Sequence, residues 1–139
     1  MRASSWVLLL IGALLTVGLL AWLLTERRWA GSLYCIERPG TLWNGLTALP
    51  PGLTPECPDS QSYRQEVRTR FSRVERYRAD GWNPRALLPL LKQGGYRQTT
   101  DDDVAPGNYA AFLSGPGGTL QYLATRQAGQ TVFTLSGRP

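Results

Sequence analysis

The chain has 139 residues, and a strongly apolar opening leaves about 115 of them for a folded domain. That length suits one small domain and excludes a multidomain enzyme. Basic residues outnumber acidic ones by 15 to 10, histidine is absent, and there are only two cysteines. The composition therefore excludes histidine-based catalysis and a cysteine-rich zinc site, and we expect neither a cofactor nor a metal.

The first predicted element is a membrane-spanning helix. Residues 6–24 carry no charge and, at about 1.5 Å per residue, would span roughly 28 Å of hydrocarbon. Trp6 and Trp22 lie near the two ends, where the headgroup layer favours indole rings. The run is longer than the apolar part of a usual signal peptide, and no pair of small residues follows at a suitable cleavage distance. We therefore predict an uncleaved anchor with its flanks over residues 1–28.

Residues 29–59 are rich in proline and glycine, which disfavours a long helix or a central strand and predicts a loop region. Cys35 and Cys57 bracket most of this region, and a disulfide between them would stabilise the fold by about 3 kcal/mol through lost chain entropy. Disulfides persist in oxidising compartments, so the pair predicts that the C-terminal domain lies outside the cytoplasm. The charges that flank the anchor do not decide its orientation by themselves.

Residues 60–139 are predicted to form an α+β domain. Five apolar residues recur at spacings of 4, 4, 3 and 3, namely Tyr63, Val67, Phe71, Val74 and Tyr77. This spacing predicts one long amphipathic helix over residues 60–79, capped by Asp59 or Ser60. A second, short helix is expected between Pro84 and Gly94, and a start near Ala86 would place Pro89 in its first turn, where proline costs least. Beyond Gly95 the period changes to two, and four short runs separated by turn residues predict a three- to four-stranded antiparallel β-meander.

The first candidate binding surface is a set of six arginines on the predicted long helix, Arg64, Arg68, Arg70, Arg73, Arg76 and Arg78. With two glutamates among them, they give a net charge of +4 within fifteen residues. Guanidinium groups pair bidentately with phosphate and carboxylate, so this surface suits anionic lipid, a cell-wall polymer or an acidic partner. The alternative is a solvated helix face in an arginine-rich sequence. No nucleic-acid-binding motif accompanies the charge, and nucleic acid is not expected as a partner.

Three further features have less specific meanings. Trp43 lies in the loop region and is either a contact for a partner or part of a small core within the loop. Asp101, Asp102 and Asp103 are consecutive, unlike the alternating ligands of a calcium loop, and predict a solvated turn between two strands. No serine lies in a nucleophile elbow, so an enzyme would have to use carboxylates alone.

Together these features predict a bacterial single-pass protein of the cell membrane with an extracytoplasmic α+β domain that binds another protein. Its expected role is that of an accessory or scaffold subunit of an envelope complex rather than an enzyme. One alternative is an electrostatic binder of anionic lipid or cell-wall polymer through the arginine-rich helix. A small carboxylate-dependent enzyme is the least favoured alternative.

Overall fold

A computed structural model describes residues 2–138, apart from the side chains of residues 2–5 and 103. The chain divides into two compact units, Met1–Gly31 and Ser32–Pro139. The first unit contains a single helix, α1 (Arg2–Ala30). An 18-residue window within its stretch Trp6–Ala30 has a mean hydropathy of 2.7, and this helix is long and apolar enough to cross a membrane. The predicted N-terminal apolar helix is confirmed.

The second unit is a mixed α+β domain, as predicted. Its smaller elements are a hairpin of β1 (Thr41–Leu42) and β2 (Thr47–Ala48) and the helices α2 (Gln61–Arg68) and α3 (Leu88–Gln93). Its main sheet contains β3 (Leu53–Glu56), β4 (Arg73–Asp80), β5 (Arg97–Ala105), β6 (Asn108–Gly115), β7 (Gly118–Gln127) and β8 (Gln130–Gly137). These strands are antiparallel in the order β3-β4-β8-β7-β6-β5. The last four strands match the predicted runs and form the predicted meander.

Side chains alternate between the two faces of the main sheet. The inner face carries the largest core residues, including Tyr77, Tyr109, Leu113, Tyr122, Phe133 and Leu135, all of them fully buried. The segment 32–50 and the helix α3 lie over this face. Leu42 and Leu91 are completely buried there, and the Tyr122 hydroxyl donates to the carbonyl of Pro84, just before α3 (2.7 Å). The short helix was predicted with Pro89 in its first turn, and the structure confirms it.

The predicted long helix over residues 60–79 is wrong beyond Arg68. The helix begins as expected after Ser60, whose side chain accepts a hydrogen bond from the amide of Tyr63 (3.5 Å). The chain then continues as β4, which is hydrogen-bonded to β3 on one side and to β8 on the other. Val74 and Tyr77 therefore lie on opposite faces of a strand and not on one face of a helix.

A hydrogen-bonded turn ends α2 without a glycine. The amide of Phe71 donates to the carbonyl of Glu66 (2.9 Å), and the amide of Arg70 donates to the carbonyl of Val67 (3.1 Å). Arg70 has a φ of 57°, in the left-handed region. This is the Schellman arrangement, in which glycine usually occupies the left-handed position. Because arginine stands there, the local sequence carries no obvious stop signal for the helix.

From Ser32 onward, the proline-rich stretch 29–59 belongs to the same compact unit as residues 60–139. The predicted Cys35–Cys57 disulfide is present, with the two Cα atoms 5.7 Å apart. β3 lies at the edge of the main sheet, which explains how Pro55 is tolerated in a strand, because an edge residue need not donate to a second neighbour.

The turn predicted at the three aspartates is wrong. Asp101 and Asp102 are paired with Ala111 and Ala110 inside β5, at the other edge of the sheet. The pairing is irregular between Asp102 and Ala105. Charged residues and bulges are common on edge strands because they oppose pairing with another chain.

Candidate interaction surfaces

The structure distributes the six arginines of the predicted basic helix over three elements. Arg64 and Arg68 lie on α2, Arg70 lies in the turn that follows, and Arg73, Arg76 and Arg78 lie on β4. The strand also alternates its side chains, so the last three do not share one face. The predicted basic helix surface formed by all six residues therefore does not exist.

Two of the strand arginines are paired with one glutamate on the outer face of the sheet. Arg78 donates from Nε and Nη2 to the two carboxylate oxygens of Glu56 in β3, at 3.1 and 3.2 Å. Arg76 Nε lies 2.8 Å from Glu56 Oε1, close enough for an ion pair but without the angle of a hydrogen bond. The side chain of Arg76 is 22% exposed and that of Arg78 is 29% exposed, and both are paired with a carboxylate on the neighbouring strand β3.

Arg73 is the third strand arginine, and it lies on the buried inner face. Its Nη2 donates to Glu37 Oε2 (3.1 Å), and its Nη1 lies 3.7 Å from Glu75 Oε1. Glu75 is only 2% exposed. Because an unpaired buried charge costs several kcal/mol, Arg73 and Glu75 stabilise each other in this position. Arg73 therefore belongs to the interior of the domain.

Glu75 is the most enclosed carboxylate among the residues that the structure describes. One of its oxygens accepts from the backbone amide of Asn44 (2.9 Å), and the other accepts from the Tyr77 hydroxyl (2.5 Å). Burial raises the pKa of Glu75 above its ordinary value, while the Tyr77 and Asn44 hydrogen bonds and the charge of Arg73 oppose that shift. Tyr77 is fully buried as well, so a substrate would reach this acid–base pair only if the hairpin segment above it moved.

Trp43 is part of the core and not an exposed contact. Its side chain is among the buried residues, and its indole Nε1 donates to the Tyr96 hydroxyl (2.9 Å). Its backbone amide donates to the Tyr77 hydroxyl (3.3 Å). Trp43 and Asn44 both have a positive φ, which costs free energy for residues with a side chain, and these buried contacts offset that cost. Of the two alternatives for Trp43, these contacts favour a place in the core, where the domain holds its indole.

An open groove runs between α2 and the outer face of the sheet, and we call it the outer groove. Six of its lining residues are Tyr63, Val74, Phe112, Thr119, Gln121 and Ser136. Four of these residues lie side by side on neighbouring strands. Phe112 of β6 pairs with Gln121 of β7, Gln121 pairs with Ser136 of β8, and Ser136 pairs with Val74 of β4. Phe112 is 42% exposed and Tyr63 is 39% exposed. The groove thus combines two accessible aromatic rings with hydroxyl and amide groups.

Neither aromatic ring of the outer groove was identified as a candidate from the sequence. The signal for Phe112 was available, because in the alternating run of β6 it stands out of phase with Tyr109, Ala111 and Leu113, which are all buried. A bulky apolar residue out of phase with the core must lie on the opposite face. For Tyr63 there was no such signal, because the predicted helix placed it on the core side.

A further exposed apolar residue, Phe71, lies in the turn that follows α2. The helical spacing predicts that Phe71 is part of a buried stripe, but the structure leaves this side chain 78% exposed. Arg68 and Arg70 flank it and are also exposed. The wrong helix assignment explains this error, because the turn at Arg70 rotates Phe71 away from the face that buries Val67.

No protein-family model matches this chain, and no curated protein or solved structure matches it either. Within residues 2–138, no three His, Cys, Asp or Glu side chains that the structure describes are grouped so that they could hold a metal ion. The fold and its surfaces define a class of protein and no particular family. The class is an N-terminal helix of membrane-spanning length followed by a small disulfide-bonded α+β domain.

Proposed function

We propose that the chain is a single-pass protein of the bacterial cell membrane whose α+β domain lies outside the cytoplasm and binds another protein. The length and hydropathy of α1 support an uncleaved anchor. The Cys35–Cys57 disulfide supports the extracytoplasmic side, because reducing systems in the cytoplasm oppose such bonds. In this proposal the domain serves as an accessory or scaffold subunit of an envelope complex.

The observation that carries the binding proposal is the outer groove. Tyr and Phe are enriched at protein interfaces, whereas most charged residues are depleted in the interface core. The groove fits the aromatic part of this composition, since Tyr63 and Phe112 are accessible there and Thr119 and Gln121 offer hydrogen-bonding groups. Its lining also contains two charged residues, Glu66 and Arg138. The proposed occupant is a segment of a partner protein that places an apolar side chain against the two rings.

Site-specific photo-crosslinking in the producing cells tests this proposal. A photoreactive amino acid replaces Gln121, which lies in the outer groove, in the full-length protein. We expect one discrete crosslinked product in the membrane fraction, which mass spectrometry then identifies. Phe112→Ser introduced beside the crosslinker should abolish that product, because it removes the apolar contact for the partner.

The matched control carries the same photoreactive residue at Gln127, which is exposed at the far end of β7. It should give no product of the same mass. Products of equal yield from both positions, or none from Gln121 while the protein is intact in the membrane, would remove the outer groove as the binding surface. A purified partner whose affinity is unchanged by Phe112→Ser would do the same.

The anchor and its orientation are tested separately. An uncleaved anchor keeps the full-length protein in the membrane during alkaline extraction, with its original N-terminus. A domain outside the cytoplasm should contain no thiol that reacts with a maleimide before reduction and two that react afterwards. Free thiols in freshly made protein, or a shortened mature chain, would contradict this part of the proposal.

The alternatives have less support from the described residues. An electrostatic binder that uses the whole arginine set requires one helix over residues 60–79, whereas α2 ends at Arg68. A carboxylate-dependent enzyme requires an accessible acid–base pair, whereas Glu75 and Tyr77 are enclosed. We therefore infer a binding role in preference to catalysis.

A further inference from the structure

We propose that the turn after α2, residues 68–71, contacts the surface of the same membrane that holds the anchor, with Phe71 entering the interface and Arg68 and Arg70 facing anionic headgroups. We call these residues the basic turn. This inference rests on the uncleaved anchor of the proposed function. It adds a second membrane contact that would set the orientation of the domain.

The exposure of Phe71 is held in place by the structure of the turn. Its amide donates to the carbonyl of Glu66 (2.9 Å), and Ser72 Oγ donates to the Glu66 carboxylate (2.9 Å). The aromatic side chain is 78% exposed, about twice the exposed fraction of Phe112 or Tyr63. A large apolar ring presented by a hydrogen-bonded turn gains free energy when it leaves water, and the turn has already lost the backbone freedom that binding would cost.

The charges beside Phe71 favour an anionic surface as the occupant. Arg68 and Arg70 precede Phe71 by three residues and one residue, and both are exposed. Basic side chains near a membrane surface are attracted to its anionic headgroups. Basic side chains next to an exposed aromatic residue are typical of segments that lie in the membrane interface.

The basic turn lies beside the first residues of the domain. Arg70 lines a small cavity together with Cys35. Only residues 32–34 separate Cys35 from Gly31, and four steps of extended chain cover at most about 14 Å. The length of chain between the proposed anchor and Cys35 is therefore short, which limits how far this part of the domain can move from the bilayer. An acidic protein segment could recognise the same side chains, but the short tether favours the membrane.

Fluorescence of the full-length protein in vesicles tests this contact. Phe71→Cys provides a single reactive thiol, because Cys35 and Cys57 are joined in a disulfide. An environment-sensitive nitrobenzoxadiazole label is attached there, and the protein is reconstituted in phosphatidylcholine vesicles with or without phosphatidylglycerol. In the anionic vesicles we expect blue-shifted emission, several-fold higher intensity and quenching by lipids that carry a shallow spin label.

Ala128→Cys is the matched control. Ala128 is exposed in the turn between β7 and β8, and its positive φ suits cysteine no less than alanine. Ala128 lies just before the first residue of the eight-residue strand β8. The last residue of β8 pairs with the first residue of β4, which follows closely after the basic turn, and an eight-residue strand is roughly 26 Å long. Its label should keep the emission of an aqueous environment in both kinds of vesicle.

Reversing the charge tests the role of the arginines. Arg68→Glu together with Arg70→Glu, combined with the labelled Phe71→Cys, should reduce quenching in anionic vesicles to the level in neutral ones. Cooperative thermal unfolding and an intact disulfide confirm that each variant is folded. If Phe71→Cys does not fold, Thr69→Cys provides a second label position on the same turn.

The outcomes separate this inference from the proposed function. A label at residue 71 that stays in water, while the protein resists alkaline extraction, overturns the membrane contact and leaves the anchor in place. Equal quenching at residues 71 and 128 also overturns it, since the domain would then have no preferred contact. Shielding that appears only after membrane extract with its proteins is added indicates a protein partner and overturns it too. Extraction of the protein by alkali contradicts the anchor itself.

Discussion

The inner and outer faces of the main sheet are built from alternate residues of the same strands, yet they differ in almost every physical property. On the inner face Tyr122 and Phe133 are completely buried beneath a disulfide-bonded segment and a helix. On the outer face Phe112 remains 42% exposed, and α2 covers mainly the neighbourhood of β4. The comparison shows that the inner face carries most of the large buried side chains, whereas the outer face is covered only in part.

Replacing a large side chain on the inner face should have the largest effect. Phe133→Ala removes a fully buried ring and is expected to lower the free energy of unfolding by about 3–5 kcal/mol, through lost burial and a new cavity. The neighbouring Thr134→Ala changes the outer face and should alter stability by only about 0.5 kcal/mol. Denaturant unfolding of both variants in mild detergent measures the difference. Similar losses would show that the outer face is also part of the core.

Removing the disulfide tests the cover of the inner face. Replacing Cys35 and Cys57 together by alanine is expected to lower the free energy of unfolding by about 3 kcal/mol, because the unfolded chain regains the entropy of a 22-residue separation. Thermal unfolding before and after reduction of the unaltered protein provides an independent measure. A reduced protein as stable as the oxidised one would mean that buried contacts alone, such as those of Leu42, keep the segment 32–50 on the inner face.

The buried carboxyl group of the inner face should make stability depend on pH. Since burial raises the pKa of Glu75, the folded state holds its proton more tightly than the unfolded state does. This contribution is fully present below the pKa of the unfolded carboxyl group and is lost as the pH rises through the raised folded pKa. In that window unfolding free energy should fall by up to about 1.4 kcal/mol per pH unit relative to Glu75→Gln.

Tyr77→Phe provides the matched variant for this titration. It keeps the ring but removes a hydrogen bond that lowers the pKa of Glu75, so the pH-dependent loss should move to higher pH. Chemical denaturation over a series of pH values measures both variants. Parallel curves for the unaltered protein and Glu75→Gln would show that Glu75 does not titrate with a raised pKa.

The smallest effect is expected at the basic turn, which follows α2. Arg70→Gly relieves a left-handed backbone conformation and should raise the free energy of unfolding by about 1 kcal/mol or less. Arg68→Gly, in the last turn of α2, should instead lower it by up to about 1 kcal/mol, because glycine disfavours helix. Thermal unfolding distinguishes the two signs. A loss of stability in Arg70→Gly would mean that the arginine side chain stabilises the turn by more than its backbone costs.

The success of the sequence-based predictions depended on whether local spacing decided the structure. The apolar helix, the last four strands, the short helix with Pro89 and the Cys35–Cys57 bridge were all correct at this level. The long helix was wrong because Val74 and Tyr77 continue the helical spacing by coincidence. Glu75 also concealed the strand, since a charged residue at an inner position breaks the expected alternation.

The candidate site was predicted less well than the fold. The sequence left Trp43 as either a contact for a partner or part of a small core within the loop, and Tyr96, distant in sequence, accepts its indole hydrogen bond in the core of the domain. The arginines were grouped on one helix, but Glu56 and Glu37 pair with those of β4 across elements. Phe112 and Phe71 became candidates only when their exposure was known. For Trp43 and the arginines of β4, the decisive contact joins residues that are far apart in the chain.

The sequence by itself determined the apolar N-terminal helix, the α+β class and the alternating strands of the meander, because each follows from the spacing of apolar residues within a few turns or strands of chain. Only the tertiary structure decided that residues 73–80 form a strand and that Trp43 and Glu75 are buried together. The physical reason is that a strand is stabilised by hydrogen bonds to its neighbours. For β4 these are β3 and β8, and β8 follows it by some fifty residues, a pairing that no local pattern encodes.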